Sequence, residues 1–183
     1  MKLILGNWDQ ALREQLEGAT SLKMITPSFS MITIEILQEY GMLPKTELVT
    51  RYSLYDFFVK LSDIQALKRM VEQGASVFGL KSLHCKLYIF SNKSAIITSS
   101  NFTWGGMFRN HECGILVDDP AIIEQLLTYF EKLKAAAKSK LSLEACKSWE
   151  QELSNYTADY LTPKMMPDYG ETSDLAAAFV QDI

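Results

Sequence analysis

Runs of four to six mostly apolar residues, the length of a β-strand, alternate through the first part of the chain with segments that are apolar at helical spacing. The strand-like runs are Lys2–Leu5, Leu22–Thr26 and Glu47–Tyr52. The helical segments are the one that carries Trp8, Leu12 and Leu16 and stops near Gly18, then Met31–Tyr40 before Gly41, and Ile64–Glu72 before Gln73-Gly74. Strands and helices that alternate along a chain pack as layers, so the pattern predicts an α/β domain.

Closely spaced β-rich runs replace the alternation in the centre of the chain. These runs are Ser76–Leu80, Leu83–Phe90, Ala95–Ser99 and Cys113–Val117. Ser91-Asn92-Lys93-Ser94 separates the second run from the third, which predicts a β-hairpin. A long helix is expected to begin at Asp118-Asp119-Pro120, because a carboxylate N-cap precedes a proline in the first turn. Its expected apolar face consists of Ile122, Leu126, Leu127, Phe130 and Leu133.

The last quarter of the chain differs in composition from the rest. From about Ala135 it is rich in Ala, Lys, Ser and Glu, and it thins towards Pro163, Pro167 and Gly170. We therefore expect one globular domain over residues 1–137 and a helical acidic C-terminal extension over residues 138–183. A chain of 183 residues with 48% hydrophobic content suits one substantial core and excludes a wholly disordered or coiled-coil protein.

The cysteines and the apolar runs indicate the cellular compartment of the protein. Cys85, Cys113 and Cys146 are odd in number and lack CxxC spacing, which indicates neither a disulfide framework nor a zinc site. The opening apolar run is too short for a signal peptide, and no stretch approaches the ~20 apolar residues that span a bilayer. We therefore expect a soluble protein in a reducing cytoplasm.

One histidine lies beside a lysine in a β-rich run. His84 and Lys86 would project on the same side of a strand, with Cys85 on the other side. Taken alone, the pair also fits a hydrogen-bonded core histidine beside a lysine that reaches out to water. Across the hairpin turn, Ser99 and Asn101 end the next run and supply hydroxyl and amide donors that suit phosphate oxygens.

These residues together resemble the active-site motif of the phospholipase D superfamily. The family pattern is HxK, four residues, Asp, six residues, GSxN, and the spacing from His84 to Asn101 matches it without a gap. Two positions depart from the pattern, because Ser91 stands where the family has Asp and Thr98 where it has Gly. The resemblance covers about Ser76–Asp119 and implies a phospholipase D-like α/β layered fold. That fold would be a mixed, mostly parallel sheet flanked by helices, here with a helical C-terminal appendage.

The resemblance implies a role for each residue of the motif. His84 would attack phosphorus as the nucleophile, and Lys86 and Asn101 would hold the non-bridging oxygens. Ser99 would be a further donor to phosphate or histidine. Glu112, in the pair Asn110-x-Glu112, would accept from the second imidazole nitrogen and orient the ring. Without the resemblance, Glu112 also fits a surface carboxylate and Asn110 a turn residue.

The family chemistry requires a second histidine as acid and base. His111 is the other histidine of the chain, but beside Glu112 it would face the opposite way in a strand. The chain shows no internal repeat of the motif. We therefore expect a homodimer with His84 of each subunit at a shared site on the two-fold axis. No metal or other cofactor is expected, because the chain has no HExxH or clustered carboxylate pattern.

The charge distribution favours a polyanionic substrate. The net charge is −4, but residues 45–109 carry nine Lys or Arg against four acids, whereas residues 138–183 carry four Lys against eight acids. Trp104, Arg109 and Asn110 are the expected substrate-binding residues, while Tyr52, Tyr55, Phe57 and Phe58 favour core or interface packing. The leading prediction is a metal-independent DNA endonuclease, restriction-type or nonspecific. A separate recognition or helicase partner would suit the restriction type.

Two other functions remain open at this point. A lipid phosphodiesterase would need an exposed apolar docking patch, for which Phe57-Phe58 and Met165-Met166 are the candidates. A binding or scaffold module that has lost turnover would account for Ser91 and Thr98. The acidic extension could form the dimer interface, cover the basic centre or dock a partner.

Overall fold

The computed structural model describes residues 1–156, and the predictions for Met165-Met166 and for the end of the acidic extension lie outside them. The strands are β1 (Lys2–Ile4), β2 (Leu22–Ile25), β3 (Thr46–Arg51), β4 (Ser76–Leu80), β5 (Leu87–Phe90), β6 (Ser94–Thr98) and β7 (Gly114–Val117). The helices are α1 (Trp8–Leu16), α2 (Met31–Glu39), α3 (Leu54–Phe58), α4 (Ile64–Glu72), α5 (Trp104–Phe108), α6 (Pro120–Ala136) and α7 (Leu143–Ser154). The predicted alternation is present, with α3 and α5 as additional short helices, and the α/β class is confirmed.

The strands form one seven-stranded sheet in the order β1-β7-β6-β5-β2-β3-β4. β2, β3 and β4 are parallel, and the other four pairings are antiparallel. The expectation of a mostly parallel sheet is therefore wrong. Parallel neighbours need a crossover, and helices provide one only between β2, β3 and β4. A short turn joins β5 and β6 as the predicted hairpin, and β7 pairs antiparallel with β6 after a longer connection that contains α5.

Helices cover both faces of the sheet. One face packs against a cluster that includes Trp8 of α1, Ile34 of α2 and Leu67 of α4. The opposite face, with Ile25 and Val49, packs against α6. Burial of these apolar side chains on both faces supplies the main stabilisation of the layers.

The face that α6 buries differs from the predicted one by one residue. Ile122 is 38% exposed, whereas Ile123 is buried with Phe130 and Leu133. The predicted N-cap is present, since Asp119 accepts hydrogen bonds from the backbone of Ala121 and Ile122.

The extension that follows α6 begins with a helix that packs on the domain. Cys146 of α7 is fully buried in the same cluster as α4, and Trp149 packs against Tyr52. Lys68 and Glu150 pair at 2.8 Å across the two helices. The division at residues 137 and 138 remains a prediction.

Candidate active site

The predicted site residues gather at one edge of the sheet. The parallel strands β2 and β3 end there, β2 at Ile25 just before Thr26 and β3 at Arg51. β5 is antiparallel to β2 and therefore begins at the same edge, where Leu87 lies opposite Ile25. By the same alternation β6 ends there and β7 begins there, where Thr98 lies opposite Gly114. Residues just outside these strand ends are thus brought together from distant parts of the sequence.

His84 and Lys86 meet at this edge, although not as members of a strand. β5 begins only at Leu87, so the expected strand over Leu83–Lys86 is wrong, and these residues belong to the connection that leads from β4 into β5. Lys86 Nζ lies 3.4 Å from His84 Nδ1 and 3.3 Å from its Nε2, and it donates to the His84 carbonyl oxygen at 2.9 Å. The lysine folds back onto its neighbour, which fixes the ammonium beside the imidazole.

The burial of the pair is the reverse of the core-histidine alternative. His84 is exposed, whereas Lys86 is only 7% exposed. Burial lowers the pKa of Lys86 below its ordinary value, the charge of Glu112 opposes this shift, and the charge of Arg51 adds to it. The site therefore presents an accessible ring nitrogen beside a partly desolvated ammonium.

A hydrogen-bond network ties the end of β6 to the start of β7. Ser99 Oγ donates to Glu112 and accepts from the Cys113 backbone at 3.0 Å, while the Ser99 backbone donates to the Cys113 carbonyl at 2.9 Å. Asn110 Nδ2 donates to the other carboxylate oxygen of Glu112 at 3.3 Å. Among residues 1–156 no hydrogen bond joins Glu112 to His84. The expected carboxylate–imidazole contact is thus replaced by a bond to the Ser99 hydroxyl.

Asn101 is held from two sides. Its Oδ1 lies 3.4 Å from the hydroxyl of Thr26, which is fully buried at the end of β2. On the other side, α5 approaches so closely that a Cβ at Gly106 would clash with the Asn101 carbonyl oxygen and would lie 2.7 Å from Ser100 Oγ. The short helix α5, which the sequence did not predict, therefore acts as a support for the Asn101 turn.

The two departures from the family pattern have different positions. Ser91 lies at the opposite end of β5 from His84, in the hairpin turn, where its Oγ accepts from the Thr20 backbone at 2.9 Å. It therefore lies away from the site edge, the edge of the sheet where the predicted site residues gather. Thr98 is at the site edge, and its hydroxyl donates to the Cys113 carbonyl at 3.2 Å and accepts from the Ser100 backbone at 2.9 Å. Its polar atom is thus already engaged by the backbone.

The expected substrate-binding residues line the exposed rim. Trp104 is 57% exposed, and its ring lies 6.0 Å from that of Phe108, which is 48% exposed. Arg109 and Asn110 follow α5 and are exposed. His111 is exposed as well. Phe57, half of the expected apolar docking patch, is buried, so that patch is wrong at this position.

Three residues at this edge escaped the sequence reasoning, namely Thr26, Arg51 and Asp56. Arg51 ends β3, and its Nε donates to the Asp56 carboxylate of α3, which is 4% exposed. The available signal was that Thr26 and Arg51 close two predicted strands whose carboxyl ends must share an edge if they are parallel. The pairing with Asp56 depends on the chain reversal after Arg51, which no local pattern reveals.

The described residues contain no group of three or more His, Cys, Asp or Glu that could hold a metal ion. Among the helices of residues 1–156, none is long and apolar enough to cross a membrane.

Comparisons with known proteins bear on the family and the fold. The family model described as "Cardiolipin synthase, PLD-like domain" matches residues 10–134, which contain the whole motif. A search of curated proteins found no match.

Several solved structures share the fold. NucT from Helicobacter pylori is 20% identical with a TM-score of 0.59, and the match covers 77% of this chain and 97% of NucT. Nuc from Salmonella typhimurium, a phospholipase D family member, is 17% identical with a TM-score of 0.56, over 72% of this chain and 92% of Nuc. Phosphatidylserine synthase of Haemophilus influenzae Rd KW20 is 16% identical with a TM-score of 0.56, over 84% of this chain but 44% of the synthase.

Proposed function

The chain belongs to the phospholipase D superfamily of phosphodiester-acting enzymes, and we propose that it is a metal-independent DNA endonuclease, restriction-type or nonspecific, that cleaves through a covalent phosphohistidine on His84. The observation that carries this proposal is the exposed imidazole of His84 with the buried ammonium of Lys86 held 3.3 Å from its Nε2. An accessible nucleophile and an adjacent fixed cation are the two groups that a phosphoryl transfer needs first.

The first step would be attack of a His84 ring nitrogen on phosphorus. A nitrogen–phosphorus bond forms, the bond to the leaving oxygen breaks, and that oxygen takes a proton from a second histidine. Lys86 and Asn101 donate to the non-bridging oxygens and stabilise the charge that builds on them. Ser99 would be a further donor once its hydroxyl turns from Glu112 to the phosphate. In the second step water attacks phosphorus, the second histidine takes its proton, and His84 is released.

The second histidine is proposed to be His84 of another copy of the chain. The described residues hold a single HxK pair, and the site lies at an open sheet edge with two large exposed aromatic rings, Trp104 and Phe108, on its rim. A two-fold axis through this edge would place the two imidazoles on opposite sides of one phosphate and bury the rings.

DNA is proposed as the substrate because residues 45–109, which include His84, Lys86 and Asn101, carry nine basic against four acidic side chains. Trp104 can stack on a base, and Arg109 and Asn110 can bind the backbone. NucT and Nuc, the nucleases among the structural relatives, support this choice.

A lipid phosphodiester is the second candidate. Val59 and Leu61, which follow α3 at the same edge, are 40% and 51% exposed, and with Trp104 and Phe108 they could dock on a lipid surface. The description of the matching family and the phosphatidylserine synthase also point in this direction.

One experiment separates the candidates. Wild type, His84→Ala and the matched control His111→Ala are incubated with plasmid DNA, a short-chain phosphatidylcholine and bis-p-nitrophenyl phosphate, all with EDTA. The proposal expects DNA cleavage by wild type and His111→Ala and a loss of at least ~1000-fold in His84→Ala. Turnover of the lipid alone would establish the second candidate. No turnover of any of the three substrates would favour a binding module.

A further inference from the structure

Arg51 is an arginine at the site edge that lies outside the family motif. It closes β3, and Asp56 on α3 accepts a hydrogen bond from its Nε. Asp56 is 4% exposed, so the carboxylate is a rigid anchor rather than a mobile surface group. The Arg51 side chain itself is 27% exposed.

The anchoring leaves most of the guanidinium available. Arginine has five N–H donors in a planar fork, and the bond to Asp56 uses the one on Nε. Among residues 1–156 no hydrogen bond joins Arg51 to His84, Lys86 or Asn101. The two Nη groups, which suit bidentate contact with phosphate oxygens, therefore have no hydrogen-bond partner within residues 1–156.

The position of Arg51 separates it from the groups that hold the scissile phosphate. β3 and β5 pair with opposite sides of β2, so their ends are two strand spacings apart, about 10 Å. Asn101, which follows β6, is one spacing further along. We propose that Arg51 binds a second phosphate, next to the scissile one on the same strand, and so makes the site specific for a polynucleotide. This inference rests on the proposed nuclease function.

The electrostatics of the edge favour an anion at this position. The charge of Arg51 lowers the pKa of Lys86, so the two cations act on each other in a partly desolvated site. Asp56 pairs directly with Arg51, whereas Glu112 is bonded to Ser99 and Asn110, and among residues 1–156 no carboxylate is hydrogen-bonded to Lys86. A chain of phosphates bound along the edge would contact both Lys86 and the unbonded Nη groups of Arg51, which an isolated phosphodiester cannot do.

The experiment compares substrates that differ only in the second phosphate. Wild type and Arg51→Gln are assayed on a thymidine oligonucleotide and on the dinucleoside monophosphate of the same base, with EDTA. The matched control is Arg13→Gln, since Arg13 is also paired with carboxylates, Asp9 and Glu39, but lies on α1. Arg51→Gln is expected to raise KM for the oligonucleotide about tenfold or more and to change kcat/KM for the dinucleotide less than twofold. The slope of log KM against log salt for the oligonucleotide should fall by about 0.7.

A second variant guards against a folding artefact. Arg51→Gln alone leaves the buried Asp56 unpaired, which destabilises the fold, whereas Arg51→Gln/Asp56→Asn removes both charges. The double variant should fold, as measured by circular dichroism, and show the same selective loss on the oligonucleotide.

Four results would overturn the inference. Equal losses of kcat/KM on both substrates would mean that Arg51 acts on the scissile phosphate. No loss on either substrate would mean that the Arg51–Asp56 pair has only a structural role. A wild type that turns over lipid but no polynucleotide would overturn the nuclease proposal together with the subsite. A wild type that cleaves DNA and is matched by Arg51→Gln would overturn the subsite alone.

Discussion

Adding one methyl group to α5 should damage the site without unfolding the protein. In Gly106→Ala the new Cβ would lie closest to the Asn101 carbonyl oxygen and 2.7 Å from Ser100 Oγ, against at least 3.4 Å for ordinary contact, so the Asn101 backbone must move by more than 0.7 Å. The Asn101 backbone nitrogen at 3.2 Å lies in the same path. Overpacking of this kind costs about 1–3 kcal/mol, partly offset by up to about 1 kcal/mol of helix propensity.

The expected net loss of about 1–2 kcal/mol is small against a usual stability of about 5–15 kcal/mol, so the variant remains folded. Its kcat should nevertheless fall about 10- to 100-fold, because a displacement near 1 Å of a group that holds phosphate costs up to about 100-fold. The assay is bis-p-nitrophenyl phosphate hydrolysis, with stability measured by urea denaturation.

The neighbouring glycine is a matched control. A Cβ at Gly105 would have its nearest contact at 3.6 Å, with Asn110 Oδ1, which is ordinary packing. Gly105→Ala should therefore be as stable as wild type or more stable, with kcat within about twofold. Normal kcat in Gly106→Ala despite lower stability would refute the role of Asn101, and equal effects of both substitutions would refute the claim that α5 supports its turn.

Three further predictions concern titration, metal and capping. The alkaline limb of kcat/KM should have an apparent pKa below the ordinary lysine value of 10.5, because burial lowers the pKa of Lys86 and its ammonium is the active form. Lys86→Arg should remove that limb, because arginine stays charged. An unchanged limb in this variant would exclude Lys86 as the group that titrates. Dialysis against EDTA should leave kcat unchanged, since the proposed steps need no metal, and restoration of lost activity by Mg²⁺ would require another mechanism. Asp119→Ala should lower the free energy of unfolding, measured by urea denaturation, by about 1 kcal/mol, because the carboxylate caps α6 by accepting from the Ala121 and Ile122 backbones. A loss below about 0.3 kcal/mol would mean that the cap contributes little.

Elements with strong local signals were predicted closely. α4 runs over Ile64–Glu72 as expected, because Asp63 caps its start with bonds to the Gln65 and Ala66 backbones. Gly74, at a φ of 92°, reverses the chain after it. The end of α1 near Gly18 follows from the same left-handed geometry.

Features that depend on tertiary contacts were missed. α5 contains Gly105 and Gly106, which disfavour a helix, and it forms because the Asn101 turn and the core hold it. The strand expected at Leu83–Lys86 fails because the chain must cross from β4 to β5 along the site edge. His84 and Lys86 were still assigned to one site, because the motif specifies their spacing and not their backbone conformation.

The covalent step on His84 is the central claim, and a rapid-quench experiment tests it most directly. Wild type and His84→Gln are mixed with an oligonucleotide that carries radiolabelled phosphate at the scissile position, with EDTA, and quenched under alkaline denaturing conditions that preserve phosphohistidine. The account predicts a transient protein-bound label that rises before product, maps to His84 and is absent from His84→Gln. Product formation by wild type without any protein-bound label, or undiminished turnover by His84→Gln, would contradict it.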